Sequence, residues 1–517
     1  MKRIFRFFII TMLMISLSAC NGTVEPEQTP TNINSVPGTI TVTDESEEKS
    51  QFEVNFPSYN EVRKEYPGKT IIVWTILETF YERIAPFRTR EINRYLDSKN
   101  CDYAVCFLPI SYTSTEYPDE CALCVEKLIE DGNQIDIVSF MHYEEFVHSG
   151  LFIPIDEYFT TESGKKLFDL MPEKFWESLR INGKIYGINA GALYTLSLDW
   201  GYYVNEELAE KYNYDTLKPI LEQLDILKKV FKNEKNCDVF SSPLRISSIL
   251  HCTNVEEITS GVYLNEKTRC AECVFDNPLY IEKLRLYDTL NRNKLLTDNY
   301  MGFESSNTFF IMQENIPGAV GYNSGESVEI EYGGNIVKAI PVFNEPTAIR
   351  HCPIATGICS FSKNKDKAFE FLALIYSDPA LNNLLTFGIE GEDYSLENNK
   401  ADGPMNPYNA IRFSNDLICH QSYNVPFTAE QYRKIYENAV LHEDLDFSFD
   451  GKELAKEIRA VTEIMSNFTL PEIKGSGNDK TLDEILSDTR KQLEQAGIQR
   501  IIDECNRQYE VYQNEKK

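Results

Sequence analysis

The sequence predicts an α/β fold of mainly parallel sheets flanked by helices, and three observations lead to it. Short apolar, β-branched runs recur, segments with helical spacing separate them, and turn residues punctuate the joins. A hydrophobic content of 42% across 517 residues supplies enough apolar material for several cores. The run Thr70-Ile71-Ile72-Val73-Trp74 lacks alternation, as expected of a strand buried on both faces. Helical spacing follows from Ile84 to Leu96, then a second strand over Tyr103-Ala104-Val105-Cys106-Phe107. Residues Cys121 to Glu130 read as a helix closed by Asp131-Gly132. Asp136 to Phe140 reads as a third strand, and Tyr143 to Ser149 as a helix that Gly150 can cap. Open sheets of this kind bind ligands beyond the carboxyl ends of their strands. Trp74, at the end of the first run, and Glu78 and Phe80 in the loop after it are therefore candidate ligand contacts.

Farther along, Tyr280 to Leu290 places Ile281, Leu284 and Tyr287 at helical spacing, and Ala319 to Tyr322 reads as a short strand. Near the end, Thr481 and Glu484 make a capping box before an apolar face of Leu482, Ile485, Leu486 and Leu493.

Charge and motif content exclude several functions. The 51 basic and 80 acidic residues give a net charge of −29, against what binding a phosphate backbone requires. None of the six histidines sits in an HExxH arrangement, and no GxxxxGK[ST] loop is present. Glycoside hydrolysis needs one pair of carboxylates across the scissile bond, and nothing singles out a pair among 80 acids. No enzymatic activity and no cofactor are expected.

The N-terminus carries Lys2, Arg3 and Arg6, then an apolar run from Phe7 to Ile15, then Leu17-Ser18-Ala19-Cys20. The run is shorter than the ~20 residues of a membrane-spanning helix. It reads as a signal peptide over residues 1–19. Its end resembles a bacterial lipobox, which implies a lipid on the Cys20 sulfur. Residues 20–66, rich in Thr, Pro, Asn, Ser and Glu, read as a flexible tether. Twelve further cysteines follow Cys20, including Cys121-Ala-Leu-Cys124 and Cys270-Ala-Glu-Cys273. Free thiols, disulfides and a four-thiolate zinc site all remain open for them, and no metal site is assigned.

Longer passages resemble a known family. Ile135-Asp136-Ile137-Val138 through Gly150-Leu151-Phe152-Ile153-Pro154-Ile155-Asp156-Glu157-Tyr158 is similar to a passage of the extracellular solute-binding proteins of ABC importers. The same holds for Asn182-Gly183-Lys184-Ile185-Tyr186-Gly187-Ile188 and for Trp200-Gly201-Tyr202-Tyr203-Val204-Asn205. Ile354-Ala355-Thr356-Gly357-Ile358, Lys367 to Leu372 and Phe387 to Tyr394 match the return segment of the maltose-binding-protein-like branch. Asn189 departs from the family, which often has proline there.

The resemblance implies a two-lobed, type II periplasmic-binding-protein-like fold with a ligand cleft between the lobes. The N-lobe would comprise 67–190 and 340–388, and the C-lobe 191–339 and 389–517. It implies a lipid-anchored, monomeric protein on the outer face of a bacterial membrane. That protein would capture a carbohydrate, an oligosaccharide in the leading reading, and deliver it to ABC permease subunits. A ligand sensor for a membrane kinase and a binding protein for another solute such as a peptide are the alternatives. A sugar site needs aromatic faces and planar polar groups. On the family's layout, Trp200 with Tyr194, Asp199 and Tyr202 follows the first lobe crossing. Tyr322 and Asn323 fall where the family has a cleft aromatic, and Thr356 and Gly357 where the chain returns near the hinge.

Overall fold

The computed structural model describes residues 57–77, 85–110, 118–191, 195–196, 200–216, 218–235, 237–241, 257–265, 267–297, 308–315, 328–332, 335–341, 349, 351–397, 400–402, 415–421, 428–468 and 480–516. The first lobe is built on a five-stranded sheet in the order Tyr103–Ile110, Thr70–Leu77, Ile137–Met141, Ile354–Ile358 and Gly187–Ile188. The first three strands are mutually parallel. Ile354–Ile358 runs against them, and Gly187–Ile188 runs against it, so four of the five carboxyl ends share one edge.

The β-branched run is buried on both faces, as its lack of alternation predicts. Ile72, Trp74 and Ile76 point into the main core of this lobe, while Ile71 packs with Ala104, Cys106 and Val62 on the other side. Val62 lies on a helix, Tyr59–Glu65, whose N-terminus is closed by a Ser58–Glu61 capping box. The folded chain therefore reaches back at least to residue 57, which corrects the tether boundary at 66. One buried valine in this helix leaves little compositional signal to set it apart from a tether.

Polar devices fix the sheet's margins. Pro109 is tolerated because Tyr103–Ile110 is an edge strand. Asn93, buried on the Ala85–Ser98 helix, bonds both the N–H and the C=O of Val105, at 2.7 and 2.8 Å, and so covers part of that edge. Asp136 is fully buried just before its strand. It accepts from the Val73 N–H, Gln134, Ser362 and Asn364, tying three chain segments together.

The second lobe holds a six-stranded mixed sheet in the order Leu296–Thr297, Cys237–Ser241, Thr308–Asn315, Trp200–Asn205, Asn335–Pro341 and Val328–Tyr332. A three-stranded antiparallel sheet, Glu257–Thr259, Val262–Asn265 and Cys270–Cys273, packs in the same core. So do the helices Pro278–Arg292, Ala455–Asn467, Leu482–Ala496 and Ile498–Glu515. The predicted Thr481–Glu484 capping box forms, and Leu482, Ile485, Leu486 and Leu493 are buried. Gly497, at φ +96°, makes the left-handed turn between the last two helices.

The lobe boundaries differ from the transferred ones. Ile340 and Pro341 still pair with Tyr202 and Gly201 in the second sheet. Leu417, Tyr432, Ile435, Tyr436 and Leu445 pack in the first lobe's core. Residues 415–421 and 428–442 thus belong with the first lobe, which corrects the placing of all residues after 388 in the second. The crossings lie side by side: Leu196 bridges to Ile349, whose N–H donates to the Val440 carbonyl at 2.7 Å.

Candidate functional site

The shared carboxyl edge of the first sheet is the natural ligand edge. The first strand, however, runs to Leu77, so Trp74 lies three residues inside it, paired with Phe107 on one side and Ile137 on the other. Its side chain is fully buried, tilted on Phe107 at 5.0 Å and edge-on to Phe371 at 5.7 Å. The indole N–H donates to Ser139 Oγ at 2.7 Å, and Ser139 Oγ lies 2.7 Å from Thr356 Oγ1. Thr356 is itself only 3% exposed. Gly357 faces the Phe152 ring so closely that a Cβ there would fall 2.5 Å from it. Trp74, Thr356 and Gly357 are therefore packing residues of the sheet, a correction to their reading as ligand contacts. The strand's true end was hidden because Thr75-Ile76-Leu77 carries no turn signal.

Two further residues lie just past the paired ends. His142 follows Met141 and adopts a left-handed φ of +67°, a conformation that non-glycine residues rarely take. Asn189 follows Ile188; its Oδ1 accepts from the Gly191 N–H at 3.0 Å, while its buried Nδ2 has no acceptor. Such orphaned donors are uncommon in native proteins. The departure from the family's proline is the signal that marked Asn189 in the sequence. Nothing in the sequence distinguishes His142 from the other histidines. Glu78 and Phe80, which follow Leu77, lie outside the described residues.

At the second sheet, the carboxyl ends of Cys237–Ser241, Leu296–Thr297, Thr308–Asn315 and Asn335–Pro341 share an edge. Trp200 opens its antiparallel strand at that same edge, paired with Asn315. Tyr202, two residues inside, is half-buried and edge-on to Phe240 at 5.9 Å. Lys283 of the Pro278–Arg292 helix lies over its ring at 5.1 Å and donates to its hydroxyl at 2.7 Å. Tyr202 is thereby tied to the helix packed on the sheet while its ring stays half-buried. Tyr194, Asp199, Tyr322, Asn323 and the lipidation candidate Cys20 lie outside the described residues.

A polar cluster sits beside the crossings. Glu144 Oε1 pairs with His351 Nδ1 at 2.9 Å, and Oε2 accepts from Ser448 Oγ at 2.8 Å. His148 Nε2 lies 2.8 Å from the same Ser448 Oγ, and the His351 ring stacks on Tyr143. Burial pushes the Glu144 carboxyl up, but His351 and Ser448 outweigh it and hold the group below the usual carboxylate range. Ser448 donates to Glu144 directly, with no histidine between them, so the cluster lacks the serine–base–acid order of a nucleophilic triad.

The cysteine pairs do not converge as a zinc knuckle would. Cys270 is exposed and Cys273 buried, because residues three apart on a strand point to opposite faces. Both carry free thiols, as do Cys106, Cys359 and Cys505. Among the described residues, no group of three or more His, Cys, Asp or Glu side chains is arranged to hold a metal ion. No described helix is long and apolar enough to cross a membrane.

Comparison with known proteins agrees with this architecture. Residues 444–514 match the family model described as a domain of unknown function, DUF3502. A carbohydrate ABC transporter substrate-binding protein of Streptococcus pneumoniae is 23% identical over 428 residues, covering 75% of this chain and 82% of its own. The N-glycan transport solute binding protein NgtS of the same species superposes with a TM-score of 0.64 at 18% identity, covering 87% of this chain and all of its own. The S. pneumoniae binding protein FusA, in complex with kestose, superposes at a TM-score of 0.55 and 14% identity, over 86% of this chain and all of its own. The chain thus has the two-lobed α/β fold of the ABC-importer substrate-binding proteins, as the resemblance of its sequence passages implies.

Proposed function

We propose that this protein is a lipid-anchored, extracytoplasmic substrate-binding protein that captures an oligosaccharide and hands it to the permease of an ABC importer. The observation that carries the reading is the extent of the likeness. A carbohydrate-binding relative aligns over three quarters of the chain, and structures described as binding Man1GlcNAc or kestose are covered almost end to end. Binding would shift an equilibrium between open and closed lobes, and the permease would read the closed state through contacts the open state cannot make. The two carboxyl edges offer candidate contacts, Trp200 at the second sheet and His142 and Asn189 at the first, and Glu78 and Phe80 remain proposed contacts from the sequence pattern. Tyr194, Asp199, Tyr322 and Asn323 remain proposed contacts on the family layout. The basic N-terminus, apolar run and Leu17-Ser18-Ala19-Cys20 ending support the anchor on Cys20.

A ligand that binds only the folded state raises the melting temperature by mass action. A panel of neutral, acidic and amino-sugar oligosaccharides, with peptides as controls, is expected to give a shift with one class of oligosaccharide. A shift with peptides alone would overturn the carbohydrate reading.

A further inference from the structure

The region matching the domain of unknown function opens on a short segment caught between the lobes. Residues 443–450 run along one face of the Ile498–Glu515 helix, whose Ile498, Ile501 and Cys505 are in the second lobe's core. Gln508 bonds both ways with Asp450, accepting from its N–H at 2.9 Å and donating to its carbonyl at 2.9 Å. The Tyr509 hydroxyl donates to Asp444 at 2.5 Å, and Arg269 of the second lobe pairs with the same carboxylate. Tyr512 and Lys516 donate to Asp446 Oδ1 at 2.5 and 2.7 Å, and Phe447 packs against the rings of Tyr509 and Tyr512.

The opposite side of the segment faces the first lobe. Asp446 Oδ2 accepts from the Gly183 N–H at 3.1 Å, and its carbonyl accepts from the Asn182 N–H at 3.0 Å. These two residues form the turn between the paired strands Arg180–Ile181 and Lys184–Ile185, whose Ile181 and Ile185 lie in the first core. One carboxylate is therefore shared between the two lobes.

We infer that residues 443–450 are a hinge strap joining the two lobes, and that Asp446 sets the resting angle between them by fastening the Ile498–Glu515 helix to the Asn182-Gly183 turn. The two sets of bonds are unequal. The helix side has a lysine ammonium and a phenol on the carboxylate, two-way amide bonds and aromatic packing. On Asp446 itself the first lobe supplies two neutral backbone N–H donors at longer distances, and charge-assisted bonds are roughly twice as strong as neutral ones; elsewhere the strap meets the first lobe through Leu445, in its core, and Ser448, which donates to Glu144 at 2.8 Å. When the lobes turn, the Asn182 and Gly183 bonds to Asp446 break before its bonds to Tyr512 and Lys516. Burial raises the Asp446 carboxyl, but Lys516 and Tyr512 more than offset this and keep it ionised through the neutral range. The inference rests on the binding-protein reading only for the reason the lobes turn. It assigns the matched region to hinge control, with no contact to ligand required.

Hydrogen–deuterium exchange and small-angle scattering on the full chain without ligand test it. Asp446→Ala is expected to speed exchange at Gly183 at least tenfold, to leave Asp450 protected, and to change the radius of gyration. Gln508→Ala is expected to do the reverse at the amides, exposing Asp450 while Gly183 stays protected. Tyr512→Phe removes a single hydroxyl and serves if Asp446→Ala does not fold; it is expected to give a smaller change of the same sign in scattering. Unchanged exchange at Gly183, or faster exchange with unchanged scattering in both Asp446→Ala and Tyr512→Phe, would overturn the strap. None of these readouts uses a sugar, so failure here leaves the transport reading standing, and failure of every sugar to bind leaves the strap standing.

Discussion

Replacing Trp74 separates a core residue from a binding residue. The indole is fully buried between Phe107 and Phe371, and its N–H reaches Ser139. Truncation to alanine removes one of the largest buried side chains in the first lobe. Trp-to-Ala changes in cores cost about 3–5 kcal/mol, from lost transfer energy plus the cavity left behind. The lost hydrogen bond adds about 1 kcal/mol at most, because Ser139 keeps its contact with Thr356. The cavity term therefore dominates, and Trp74→Phe, which refills most of the space, is expected to lose far less than Trp74→Ala. Urea unfolding followed by far-UV circular dichroism measures the loss. With a slope of about 3 kcal/mol/M, the alanine variant's midpoint for the first lobe falls by at least about 1 M. The sugar that shifts the parent's melting temperature should bind folded Trp74→Ala with parental affinity. An unchanged midpoint together with lost sugar binding would refute the placement and return Trp74 to the cleft.

Trp200→Ala is expected to show the opposite pattern: affinity weakened by about 30-fold or more, as for an aromatic anchor worth ~2 kcal/mol, with the unfolding midpoint nearly unchanged. Calorimetric titration reads the first and urea the second, and parental affinity would remove Trp200 from the site. Gly357→Ala should destabilise by about 1–3 kcal/mol, because the added methyl meets the Phe152 ring at 2.5 Å and the packed sheet must shift. A neutral result in thermal melts would show that the ring gives way freely. Burial pushes the Glu257 carboxyl up to about 7, above its ordinary 4.5. A raised carboxyl favours the protonated folded state, so its contribution is fully present below pH 4.5 and is lost as pH rises through 7. Subtracting the Glu257→Gln stability profile from the parent's should expose that fall between pH 4.5 and 7, and parallel profiles would contradict it.

The sequence made the fold legible where burial leaves a pattern. The unbroken Thr70-Ile71-Ile72-Val73-Trp74 run marked a two-sided strand, and Thr481 with Glu484 marked a helix start, because both are local physical signals. Lobe membership was harder. Tyr432 and Tyr436 have helical spacing either way, and only tertiary packing shows that they join the first core. The site was less legible still, since a ligand edge depends on where strands stop. Three more unpunctuated residues carried the first strand to Leu77 and moved Trp74 inside. Tyr202 looked like a stacking platform by type, yet Lys283, 81 residues away in sequence, engages its hydroxyl. His142 carries its distinction in a backbone angle, for which residue type gives no notice.

In the proposed function the two lobes close on a carbohydrate. Small-angle scattering of the protein with and without the oligosaccharide that shifts its melting temperature tests this most directly. A smaller radius of gyration is expected at saturation, reversed when the sugar is dialysed away. Saturating sugar with an unchanged radius in both the parent and Asp446→Ala would contradict capture by closure.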